Sequence, residues 1–68
     1  MSREHSEVRF GVTAIQKGFV TLEQVVDALG AQIEENFKAG RHRRIGQILL
    51  EQRLIDRSQL DEILNSLD

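Results

Sequence analysis

The sequence predicts an all-α fold, a small four-helix domain made of two tandem helix-turn-helix repeats, and three observations carry that prediction. Proline is absent and the aromatics are Phe10, Phe19 and Phe37, so the clusters that build strands are thin, while Leu, Ile, Glu, Gln and Arg are plentiful. Displaced along itself by 35 residues, the chain aligns Arg9-Phe10-Gly11 with Arg44-Ile45-Gly46, and the register holds to Leu29 over Leu64. Identities are few in that span (Arg9/Arg44, Gly11/Gly46, Gln24/Gln59 and Leu29/Leu64) and agreement in kind weighs more. Phe10/Ile45, Ile15/Leu50, Phe19/Leu54, Val20/Ile55, Val25/Leu60 and Ala28/Ile63 are apolar in both copies at spacings that suit helical faces. Finally, Thr21-Leu22-Glu23-Gln24 and Asp56-Arg57-Ser58-Gln59 place a capping residue three positions before Gln at equivalent sites, so a helix starts at both.

Residues 1–6 are expected to be disordered, leaving one helical domain over residues 7–68. Repeat one, about residues 9–32, opens with a short helix over residues 8–16. Val12 and Thr13 lower its propensity, and Gly11 costs up to about 1 kcal/mol relative to Ala. Gly18 suits a left-handed C-cap. The next helix carries Val25, Val26, Leu29, Ile33 and Phe37 at three- and four-residue intervals, a stripe expected to face the core, and Glu34-Glu35-Asn36 extends it on its solvated side. A linker over about residues 33–43 follows, its real loop being Lys38-Ala39-Gly40-Arg41-His42-Arg43.

Repeat two, about residues 44–67, begins with an amphipathic helix over residues 44–52 built on Ile45, Ile48 and Leu49. Arg53 stands where the first repeat has Gly18 and suits a left-handed cap less well. The last helix puts Leu60, Ile63, Leu64 and Leu67 on a second core stripe. Neither helix pair alone could bury its stripes, so the two should pack into one domain.

Length and composition bound the function. A chain of 68 residues buries only about 60% of its unfolded surface and holds one core. Cysteine is absent, which excludes disulfides, a thiolate zinc site and a cysteine nucleophile. His5 and His42 lack partners at metal-like spacing, so no metal site and no cofactor are expected. Ser2, Ser6, Ser58 and Ser66 have no His and acid arranged around them, and the chain reads as a non-enzyme. No apolar run approaches the ~20 residues of a membrane span, and Met1-Ser2-Arg3-Glu4-His5 does not resemble a signal peptide; a cytoplasmic location without membrane insertion is the expectation.

The first copy reads Arg9-Phe10-Gly11, Ala14-Ile15, Gly18-Phe19-Val20, Val25, Ala28-Leu29 and Gln32. It resembles, without a gap, the pattern RLGxxLLxxGLIxxxxLxxALxxQ of the N-terminal domain of type II secretion and type IV pilus ATPases. Arg44-Ile45-Gly46, Leu49-Leu50, Leu54-Ile55, Leu60 and Leu64 continue the likeness in the second copy, with Arg-x-Gly as the distinctive part. The MshEN subgroup of that bacterial family binds cyclic di-GMP through both tandem motifs. The resemblance therefore implies a helical regulatory or adaptor module in which Arg9 and Arg44 engage guanine or phosphate, Gly11 and Gly46 allow close approach to the backbone, and Leu49 and Leu50, with Ala14 and Ile15, form an apolar wall. An arginine fork suits such a ligand, since it stacks on a base while donating parallel hydrogen bonds. This chain departs from the pattern in a longer linker, in Ala14 for the first leucine, and in Arg53 and Leu67 for the Gly and Gln of the second motif.

Each of these features has an ordinary reading beside the specific one. Arg9 and Arg44 could cap or salt-bridge helix starts with Glu7 or Glu51, pairs worth roughly 0 to 1 kcal/mol. The basic patch of Lys38, Arg41, His42 and Arg43, next to Arg44, could receive phosphate or an acidic partner, or be a solvated loop. A helix-turn-helix DNA binder is the alternative function. Its recognition helix should expose Arg, Lys, Asn or Gln, whereas these helices carry Glu23, Asp27, Glu34, Glu35, Asp61 and Glu62, so docking to a protein is the favoured expectation and nucleic acid the disfavoured one.

Overall fold

The computed structural model describes residues 3–40 and 43–67, with side chains described from residue 7 onward. The described residues form four helices: α1 (Arg3–Gln16), α2 (Leu22–Ala39), α3 (Ile45–Glu51) and α4 (Arg57–Ser66). The fold is an all-α small domain, as the composition predicts.

Both expected capping boxes are present. Thr21 Oγ1 accepts the Gln24 N–H at 3.1 Å while Gln24 Oε1 accepts that of Thr21 at 2.9 Å, and Asp56 and Gln59 repeat the exchange at 2.8 and 3.0 Å. The turns that precede them also match. In the first, the Gly18 N–H donates to Ile15 O and that of Phe19 to Ala14 O; in the second, the Arg53 N–H donates to Leu50 O and that of Leu54 to Leu49 O. This is the Schellman pattern, which places its C′ residue in the left-handed region. Gly18 sits there at φ 78°, and Arg53 takes the same conformation at φ 62° despite its Cβ.

Two boundaries differ from expectation. α1 starts at Arg3, so residues 3–6 are helical rather than disordered, while residues 1 and 2 lie outside the described residues. No Gly or Pro interrupts the stretch before Gly11, and the helix is anchored near its start by Glu7, described below. α2 runs through Ala39, which places Lys38 in its last turn instead of in the loop. The stop is Gly40, at φ 65°, whose N–H closes on Glu35 O.

One core joins the four helices. It comprises Phe10 and Ala14 of α1, Val25 and Ala28 of α2, Ile45, Ile48 and Leu49 of α3, Ile63 of α4, and Val20 and Ile55 from the two turns. The seven-residue α3 is the hub, packing against all three other helices. Glycines let it approach closely. A Cβ on Gly46 would lie 2.9 Å from Phe10 Cζ and 3.0 Å from Leu60 Cδ1, and one on Gly11 would lie 2.7 Å from Val25 Cγ1. Gly11 against Val25 and Gly46 against Leu60 are contacts at matching positions 35 residues apart.

The expected core stripes are only partly buried. Val25 and Ile63 are in the core and Leu29, Leu60 and Leu67 pack at its edge, but Val26, Ile33, Phe37 and Leu64 are exposed. The reason is geometric. The short α3 covers one side of α2, and the 18-residue α2 presents more apolar surface than that contact can cover.

Candidate functional site

A groove of about 470 Å³ runs between α1, α3 and α4. Its apolar wall is built from Phe10 of α1, Ile45, Gly46 and Leu50 of α3, and Leu60, Leu64 and Leu67 at the α4 end. Glu7, Arg44, Gln47, Glu51 and Arg57 complete the lining, with acids and bases equal in number. Each part has a local cause. α3 is amphipathic, with Ile48 and Leu49 turned into the core and Leu50 turned to the groove. The bare Gly46 lets the Phe10 ring and Leu60 meet over α3, so the floor is continuous.

The polar groups on this groove are already organised. Glu7 Oε2 accepts the Ile45 N–H at 2.8 Å, and Arg44 approaches the same carboxylate at 3.5 Å. Arg44 is the N-cap of α3 but makes no side-chain cap, so a carboxylate from α1 performs that task. Gln47 donates to Glu51 at 3.2 Å, and Glu51 also accepts from Arg43. Among the described residues Arg57 has no ion-pair partner, which leaves an exposed cation on the groove.

The structure divides the residues expected to bind a ligand. Arg44, Gly46 and Leu50 line the groove together. Arg9 stands at its edge, donating to Leu67 O at 3.0 Å rather than pairing with Glu7 or Glu51. Gly11 does not line the groove, because the space beside it is taken by Val25. Leu49 is fully buried and cannot touch a ligand; α3 turns its neighbour outward instead. Ala14 is likewise in the core.

Of the expected basic patch, the described members Lys38 and Arg43 each have acidic partners. Arg43 donates through Nε to Glu35 Oε1 at 2.8 Å and through Nη2 to the other Glu35 oxygen, and Nη1 donates to Glu51. Its carbonyl accepts from Gln32 Nε2 at 3.0 Å. The hydrogen bond to Glu35 leads in raising the already high guanidinium pKa, so this residue clips α2 to α3 as a permanent cation. Lys38 lies one turn from Glu34, 3.9 Å away, while Arg41 and His42 lie outside the described residues.

Sequence reasoning missed Glu7, Arg57, Leu60, Leu64 and Leu67 as groove residues. Their shared location depends on contacts between distant segments, and only the apolar character of the last three was a sequence signal. No group of three or more His, Cys, Asp or Glu among the described residues could hold a metal ion, and no helix there is long and apolar enough to cross a membrane. The chain matches no protein-family model, no curated protein and no solved structure.

Proposed function

We propose that this chain is a non-catalytic adaptor or regulatory module that docks an amphipathic segment of a partner protein in the groove between α1, α3 and α4. The observation that carries this reading is the lining itself, a concave apolar wall edged by charges of both signs. Apolar anchors in a pocket supply most of the affinity of such contacts, and edge charges set orientation. Arg57 would meet an acidic residue of the partner. The exposed acids of α2 and α4, Glu23, Asp27, Glu34, Asp61 and Glu62, weigh against DNA, whose binding would fall steeply with salt.

A second reading keeps the likeness to secretion-ATPase N-terminal domains and takes cyclic di-GMP as a ligand. It rests on Arg44, Gly46 and Leu50 lining one groove, with Arg9 at its edge. The carboxylates of Glu7 and Glu51 on the same lining oppose a ligand with two phosphates, which is why the peptide reading is preferred.

One titration series tests both. Short peptides selected from a displayed library against the chain, with a Leu64→Glu variant as counter-selection, should shift the amides of residues 45–50 and 60–67. Peptides that leave those amides unmoved sink the docking groove. Cyclic di-GMP added to the same labelled protein, with GMP as control, decides the second reading by saturable shifts at residues 9 and 44–50, or their absence.

A further inference from the structure

We infer that α2 is the self-association surface of this protein, pairing antiparallel with α2 of a second copy. α2 is 18 residues long and only one side of it meets the core. Its other face exposes Leu22 (64%), Val26 (55%), Ile33 (67%) and Phe37 (81%), which recur at helical spacing with the half-buried Leu29 between them. An apolar stripe of this kind on a small charged domain marks a contact surface.

The identity of the occupant follows from the order of the residues. Read from either end of α2, the stripe has the same spacing: Leu22 and Val26 at one end mirror Phe37 and Ile33 at the other, with Leu29 and Gly30 at the centre. Two copies laid antiparallel therefore put Leu22 against the second copy's Phe37, Val26 against its Ile33, and Leu29 against its Gly30. A two-fold interface demands such self-complementarity, and a foreign helix does not. The large side chain of each pair meets a smaller one. The helix dipoles also oppose one another in this arrangement.

Gly30 is the second, independent observation. Gly11 and Gly46 are explained by close neighbours, and Gly18 and Gly40 by positive φ. Gly30 has neither: it lies inside a helix, where glycine is unfavourable, and a Cβ there would meet nothing within 4 Å. A bare backbone at the centre of the stripe admits the Leu29 of an opposing helix.

Size and charge fit a reversible dimer. The four exposed side chains present on the order of 500 Å² per copy, taking roughly 150–200 Å² for each when fully exposed. The pair then buries about 1,000 Å², at the small end of specific interfaces, so weak, concentration-dependent association is expected. At the ends of the stripe Glu23 comes beside the second copy's Lys38, while nearer the centre Asp27 comes beside its Glu34. The attraction and the repulsion oppose each other and leave apolar contact dominant. The stripe shares no residue with the groove, so a dimer would carry two open grooves, and neither proposal depends on the other.

Sedimentation equilibrium of the full chain tests this directly. The mass should rise from 7.8 kDa toward twice that value with concentration. Ile33→Ser and Phe37→Ser should each weaken association at least tenfold without changing the helical spectrum, because both side chains are exposed, and Gly30→Leu should weaken it as well. The absence of native cysteine allows a register test. Val26→Cys with Ile33→Cys should form a covalent dimer on oxidation, whereas Val26→Cys alone should not, its two copies being seven residues or roughly 10 Å apart along the helix. A monomer at every concentration overturns the proposal. So does a dimer indifferent to Ile33→Ser and Phe37→Ser, or efficient linkage through Val26→Cys alone.

Discussion

Glu7 on α1 accepts the backbone N–H of Ile45 at 2.8 Å across 38 residues of sequence, and so caps α3 from another helix. The carboxylate is largely shielded, 15% exposed, and lies at the positive end of the α3 dipole. A hydrogen bond to a charged acceptor contributes about 1.5–3 kcal/mol, so Glu7→Ala should destabilise the fold by about 1–3 kcal/mol and Glu7→Gln by roughly half as much. Urea unfolding followed by far-UV circular dichroism measures both. Arg44→Ala should be much milder, below about 1 kcal/mol, because that side chain is 68% exposed. Equal losses at Glu7 and Arg44 would mean that the ion pair, and not the cap, is what matters.

Three helical glycines give opposite responses to one substitution. Gly→Ala in a helix is favourable by about 1 kcal/mol where there is room. At Gly30 there is, and Gly30→Ala should raise the stability of the dilute chain by about 0.5–1 kcal/mol. At Gly11 and Gly46 the added methyl would press on Val25 and on the buried Phe10 ring, and overpacking of this kind costs about 1–3 kcal/mol. Val25→Ala combined with Gly11→Ala should recover part of the loss, since the two contacts are one and the same. Thermal melts at low concentration will rank the variants, and a stabilising Gly46→Ala would show that α3 is not held at the observed distance.

Arg53 holds a left-handed conformation that disfavours residues with a Cβ by about 1–2 kcal/mol. Glycine occupies the matching turn at Gly18. Arg53→Gly should therefore stabilise the protein by about 0.5–1 kcal/mol, the relief of strain being offset in part by the entropy of a freer unfolded chain. Gly18→Ala should destabilise it. If Arg53→Gly lowers the unfolding midpoint, then the arginine side chain contributes a contact that outweighs the strain.

What was legible in the sequence was what local physics decides. The capping boxes at Thr21 and Asp56 need only residues three apart, and the turns at Gly18 and Arg53 need only the chain's own carbonyls, so both appeared where expected. Periodicity was a weaker guide. Val26, Ile33 and Phe37 share the three- and four-residue rhythm of Val25 and Leu29, because a core face and a contact face are drawn with the same residues. Leu49 and Leu50 are adjacent, and only the docking of α3 decides that the first is buried and the second faces the groove. Glu7 was legible only as an ion-pair partner, which it is for Arg44; its hydrogen bond to the backbone of Ile45 left no sequence signal, since that partner lies 38 residues away.

Ile63 and Leu64 are neighbours on α4 with different surroundings, and they separate stability from binding. Ile63 is fully buried among the core residues, whereas Leu64 is 48% exposed and lines the groove. Truncating a buried aliphatic side chain removes about 2–5 kcal/mol, a large part of the stability of so small a domain, so Ile63→Ala should leave the chain largely unfolded at room temperature. Leu64→Ala removes a side chain that solvent already reaches, and it should cost about 1 kcal/mol or less. Its effect belongs to the groove. A peptide that binds the wild-type chain should lose at least tenfold in affinity for Leu64→Ala, measured by isothermal titration with the variant's fold checked by circular dichroism. Unchanged affinity with an intact fold would remove Leu64 from the binding surface and move the docking site away from α4.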